Sequence, residues 1–117
     1  MKEIRAVIRP QKLPRLREVL RALPGFPGMT ISKAVGCGAT GRHAPSNIRE
    51  ELTDFTDKLR IEIVAPDDMA DALVDCIVQV ASTGQTGDGL VWVVDVPRAV
   101  FIRKTVGRAA DGAAGEG

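Results

Sequence analysis

Aromatic side chains are scarce in this chain. Three Phe, one Trp and no Tyr make 3% of 117 residues, which leaves no stacking platform of the kind that single-stranded nucleic acid binders use. Cys37 and Cys76 are the only cysteines, too few and too far apart for a disulfide framework. The single His43 cannot complete a usual zinc set within one chain. Charge of one sign is missing as well. Sixteen basic and fifteen acidic side chains leave a formal charge of +1, so no global field draws the protein to nucleic acid or to an anionic membrane, and partners must be recognised locally. No apolar run approaches bilayer length, and Lys2, Glu3 and Arg5 interrupt the start of the chain, where a signal peptide would need a long apolar stretch. The expectation is a cytoplasmic protein that neither inserts into a membrane nor binds nucleic acid.

A hydrophobic content of 44% against 26% charged residues in 117 suits one globular core and is too little chain for two ordinary domains. Ile4, Ala6 and Ile8 alternate with Arg5, Val7 and Arg9, which predicts a strand over about residues 3–9 with one face on a core. Pro10 ends it. Leu13, Leu16, Leu20 and Leu23 recur at helical spacing, with Pro14 in the first turn and Pro24 and Gly25 as the stop. Met29 to Val35 reads as a second strand, and periodicity is then lost over residues 36–57. The pattern starts again with Leu59, Ile61 and Ile63, and Pro66 follows Val64 as Pro10 follows Ile8. Asp67 or Asp68 is placed to cap a second helix with Met69, Leu73, Cys76, Ile77 and Val80 on its apolar face. Thr83 to Gly89 is a glycine-rich turn, and Leu90 to Val96 is a nearly unbroken apolar run that predicts a strand covered on both faces. Trp92 in that run reads as packing.

The order β-α-β, β-α-β is the α+β ferredoxin-like double unit, an antiparallel sheet with two helices on one face. The helices leave the other face open, and its apolar residues call for oligomerisation. One domain is expected over residues 1–106, with a disordered Gly- and Ala-rich tail over 107–117.

The segments KEIRAVIRPQKL, GMTISKAVGCG, KLRIEIVAPDDM and STGQTGDGLVWVVDV, in that order and spacing, resemble the P-II nitrogen regulatory signal transduction proteins. The resemblance implies a non-enzymatic homotrimer with adenine nucleotide sites between subunits and a long loop that contacts a protein target. It places Ile8, Gly36, Cys37, Gly38 and Val64 on one side of each nucleotide cleft. Thr83, Gly84, Gly87, Asp88, Gly89 and Arg103 fall on the other. Two positions depart from the pattern. Leu90 stands where relatives have a lysine, and Phe101 stands where they have an arginine. Each lost charge-assisted contact is worth about 1.5–3 kcal/mol, together roughly two to four orders of magnitude in ATP affinity. Two readings stay open: a nucleotide of lower charge, ADP or AMP in place of ATP, or a site that no longer binds. The same glycines also suit a plain helix-to-strand turn.

Residues 37–57 form a span long enough to imply a task, and the resemblance makes it the partner-binding loop, with Arg42, His43, Ser46, Arg49 and Glu50 as contact residues. Relatives carry there a tyrosine that is uridylylated, which this chain lacks. The glutamine that in relatives helps hold Mg²⁺ and 2-oxoglutarate is matched by Thr40, a short side chain for that role. Lys58 and Glu62 match effector residues or are ordinary strand charges. The stretch LPGFPGMT is similar to a branch found beside heavy-metal efflux pumps, which makes a membrane transporter one candidate target and an enzyme another. No nucleophile with a base and no paired carboxylates are visible. The competing expectation is a trimeric metal-handling or structural module resembling the divalent-cation tolerance proteins, without nucleotide.

Overall fold

The computed structural model describes residues 1–37 and 55–103. Strand β1 (Lys2–Ile8) leads through a 3-10 turn (Pro10–Lys12) into helix α1 (Leu13–Arg21), followed by β2 (Thr30–Cys37) and β3 (Phe55–Ala65). A second 3-10 turn (Asp67–Met69) opens helix α2 (Ala70–Ala81), and β4 (Gly89–Asp95) closes the sheet. The strand order is β2-β3-β1-β4, and every neighbouring pair is antiparallel. Each βαβ unit therefore skips one place in the sheet and receives a strand of the other unit in the gap, the interlock predicted from the repeated pattern.

Alternation in β1 and β3 directs Ile4, Ala6 and Ile8, and Ile61, Ile63 and Ala65, to one face. Register stacks them, with Ile4 opposite Ile63 and Ala6 opposite Ile61. α1 adds Leu16 and Leu20, and α2 adds Leu73 and Ile77, all buried. Each such side chain contributes about 1.5–3 kcal/mol on burial.

Two expectations change. Neither Asp67 nor Asp68 caps α2: no side-chain cap bond forms at the 3-10 turn, and Asp67 instead meets the α-amino group of Met1 at 2.9 Å, a full charge that outcompetes a backbone N–H. The ordered strands also run further into the expected loop. β2 continues through Cys37 and β3 begins at Phe55, with Gly36 opposite Thr56 and Cys37 opposite Phe55. A backbone ladder needs no alternation of apolar residues, so this exposed arm left no pattern to read. Residues 38–54 of the expected loop, with Gly38, Thr40, Arg42, His43, Ser46, Arg49 and Glu50, lie outside the described residues, as does the tail from residue 104.

β4 borders the face that the helices leave open. Its run is apolar on both faces, yet within one chain the face opposite the helices, with Val7, Val64, Leu90, Trp92 and Val94, has no second layer among the described residues. Leu90 is 61% exposed. The strand has the composition for two covers, and the described residues supply one.

β4 also sits very close to β1. Gly89 has φ +106°, and a Cβ there would lie 1.8 Å from the carbonyl oxygen of Val7. Gly89→Ala is expected to cost on the order of 3 kcal/mol or more in urea denaturation, combining backbone strain with a clash. At Gly84, φ is +81° and an added methyl would meet nothing within 4 Å, so Gly84→Ala should cost only about 1–2 kcal/mol. Equal losses would contradict the tight β1–β4 approach.

Candidate functional site

The turn between α2 and β4 is organised by one carboxylate. Asp88 accepts from the Thr83 amide at 2.7 Å, the Thr83 hydroxyl at 2.6 Å and the Gly84 amide at 3.0 Å. Foremost the Thr83 hydroxyl, then the Thr83 amide and the amides of Gly84 and Gln85, hold the Asp88 carboxyl far below the usual carboxylate range, against the opposing effect of burial. Asp88 thereby occupies the Thr83 and Gly84 amides, two donors that a phosphate would otherwise use.

Two cations converge on the same turn. The Arg9 guanidinium stands 3.3 Å from Asp88 and donates to the Thr86 carbonyl at 2.8 Å. Lys58 donates its ammonium to the Gly87 carbonyl. Gly36 faces the stem of Lys58, where a Cβ would lie 3.2 Å from Lys58 Cγ, and Ile8 is the register partner of Gly89. Ile8, Gly36, Lys58, Gly87, Asp88 and Gly89 are therefore brought together within a single chain. The resemblance set Ile8 and Gly36 against the glycine turn across a subunit boundary; within the single chain they already stand beside it. The reason is topological: β1 lies between β3 and β4, so its end meets both the turn and the hairpin arm.

Arg9 was missed by sequence reasoning. Its signal lay in the β1–β4 pairing: once Ile8 faces Gly89, the next residue of β1's chain falls beside Asp88.

Other expected residues stand apart. Val64 is six positions along β3 from Lys58, about 20 Å away at strand rise, and Glu62 about 13 Å away. Glu62 lies 3.7 Å from Arg60 and opposite Arg5, within the open face. Arg103 is exposed at the end of the described chain. Cys37 is exposed on the hairpin arm and Cys76 half-buried on α2, both as free thiols. Among the described residues no group of three His, Cys, Asp or Glu side chains is placed to hold a metal ion, and no helix is long and apolar enough to cross a membrane. Beside the turn, an open pocket of about 180 Å³ is lined by Ile8, Ile77, Ala81, Asp88, Gly89 and Leu90 among others.

This architecture defines an α+β sandwich of the ferredoxin-like type. Comparison of the sequence with known families gives the narrower identity. The nitrogen regulatory protein P-II family matches residues 1–106, and the chain belongs to that family. It is 43% identical over 104 residues to nitrogen regulatory protein P-II 1 of Escherichia coli K12, covering 88% of this chain and 92% of the relative. The P-II proteins of Klebsiella oxytoca and Haemophilus influenzae are 42% and 39% identical over the same coverage. P-II proteins are signal transducers of nitrogen regulation rather than enzymes, and they typically bind ATP, ADP and 2-oxoglutarate. The metal-handling alternative is set aside by this match.

Because the Asp88 carboxyl is held low, its contribution to folding is fully present above the ordinary carboxylate value near 4 and is lost as pH falls through that value towards its lowered folded one. Asp88→Asn should lower the melting temperature at pH 7 and flatten the acid limb of the stability profile. An unchanged acid limb would show that the carboxylate does not hold the turn.

Proposed function

We propose that the protein is a homotrimeric adaptor that senses an anionic effector, an adenine nucleotide, between subunits and signals occupancy through residues 37–57 to a target protein. One observation carries this reading. Lys58 with the glycine turn, and Val64 with Glu62, occupy two stretches of the same sheet face about 13–20 Å apart, too far for one small ligand in one chain. A second copy laid against the open face would bring one stretch of its own sheet near the complementary stretch of its neighbour. Ile8, Gly36, Cys37, Gly38, Thr83, Gly84, Gly87, Asp88 and Gly89 would form one half of each cleft, and Val64 and Arg103 the other.

The donor set fits a modest negative charge. Arg9 and Lys58 supply two cations, Asp88 cancels part of their charge, and Leu90 places an exposed apolar side chain immediately after the turn. That balance favours ADP or AMP over ATP. Thr40, Lys58 and Glu62 remain the candidates for a second effector of the 2-oxoglutarate type, with Mg²⁺ dependence open to the same titration. Arg42, His43, Ser46, Arg49 and Glu50 would meet the target, for which a membrane transporter is the first candidate.

Calorimetric titration with ATP, ADP and AMP, with and without Mg²⁺, tests the cleft. The double substitution Leu90→Lys, Phe101→Arg should tighten ATP by roughly two orders of magnitude or more, from two restored charge-assisted contacts. Unchanged ATP affinity would reject the cleft assignment.

Assembly has its own test. Trp92→Glu places a charge on the open face, and sedimentation at micromolar concentration should show the trimer dissociating, because an unpaired charge cannot be buried without a large penalty. A trimer that survives this substitution intact would mean that the subunits meet elsewhere.

A further inference from the structure

We infer that the groove between α1 and the connector to β2 docks an acidic segment of a partner protein. The groove, about 400 Å³, is floored by Phe26, Pro27, Met29 and Ile31 and edged by Arg17 and Arg21. α1 lays Leu16 and Leu20 on the core, which brings Arg17 and Arg21, four residues apart, onto one outer strip of the helix. Like charges at that spacing destabilise a helix. Arg15 is relieved by Glu18 at 3.0 Å, but among the described residues no carboxylate stands within ion-pair distance of Arg17 or Arg21. Ile31, 39% exposed, lies on edge strand β2, so the apolar floor is open beside the unpaired guanidinium groups.

Charge complementarity selects the occupant. Two guanidinium forks beside an aromatic and a methionine match a segment that inserts one Phe or Leu side chain and flanks it with carboxylates, and this residue mixture is enriched at the centres of protein interfaces. An anionic bilayer fits less well, since membrane attachment draws on clusters of about four to eight cations and a recess receives a side chain rather than a flat surface. The groove lies at the far end of β2 from Gly36, about 17 Å by strand rise. Its occupancy therefore does not rest on the nucleotide reading.

The test is an NMR titration of the ¹⁵N-labelled full chain with the blocked peptide acetyl-Glu-Glu-Phe-Leu-Glu-Glu-amide and with its all-Gln counterpart. Phosphatidylserine vesicles form a third arm. The expected result is shifts grouped at Arg17, Arg21 and residues 26–31, with the acidic peptide bound about tenfold more tightly than the neutral one. The variant Arg17→Gln, Arg21→Gln alters only exposed side chains and should abolish that preference. Arg17→Glu, Arg21→Glu should transfer it to a fourth probe, the same peptide with Lys in place of each Glu. Equal affinity for acidic and neutral peptides, shifts centred on Arg9 and Lys58, or vesicle binding without peptide binding would each overturn the inference.

Discussion

A four-stranded sheet has two faces, and the helices among the described residues cover one. α1 and α2 seal Ile4, Ala6, Ile8, Ile61 and Ile63, and the other face is left with Val7, Leu90, Trp92 and Val94 among charged residues. The charges there are matched unevenly: Arg5 lies 2.7 Å from Glu3, whereas Arg60 lies 3.7 Å from Glu62 with its Nε buried and without a hydrogen bond. Covering the face would bury the close Arg5–Glu3 pair at a smaller desolvation penalty than a lone charge, and it would call for a partner group at the Arg60 Nε. The sheet face is thus composed for contact with another protein surface, in keeping with membership of a family of trimeric regulators.

The glycine turn obeys a different constraint. A loop of positive-φ glycines has little shape of its own, since each glycine is free in the unfolded chain and gains no side-chain contact on ordering. Asp88 supplies the shape by drawing in the amides of Thr83 and Gly84. Arg9 and Lys58 then fix the outer side through the carbonyls of Thr86 and Gly87. With Asp88 counted against them, the two cations leave one positive charge at the turn, in a protein whose whole formal charge is +1. The positive charge at the turn is local, as the bulk composition required.

The sheet and both helices were legible in the sequence because burial imposes a period: two in β1 and β3, and 3.6 at Leu13, Leu16 and Leu20. The outer part of the hairpin was not, because Val35 and Phe55, 66% and 55% exposed, are paired by backbone alone. The continuous apolar run of β4 announced two covers, and the count of two helices already told that one chain covers a single face. At the site, the glycines and Asp88 were legible as a motif, whereas Arg9 was not. Its position depends on which strand lies next to β1, a fact of topology and not of local pattern. The split between Lys58 and Val64 was hidden for the same reason, since both lie on one strand and only the strand's length separates them.

That length links ligand to signal in the proposed reading. Lys58 stands three residues from Phe55, and Gly36 faces Thr56 across the same ladder, so the cation that meets the turn sits at the base of the projecting hairpin. The antiparallel ladder is stiff along the strand and buried only at its inner end, from Ile61 onward. In that reading a ligand that draws Lys58 away from the Gly87 carbonyl would act where β3 leaves the core, beside residues 55–57, which are exposed. A displacement at Ile63 would be resisted by the buried core on one face and by β1 alongside. A sensor built on this sheet gains the most leverage from a ligand at the Lys58 end, which is where its cations and glycines are placed.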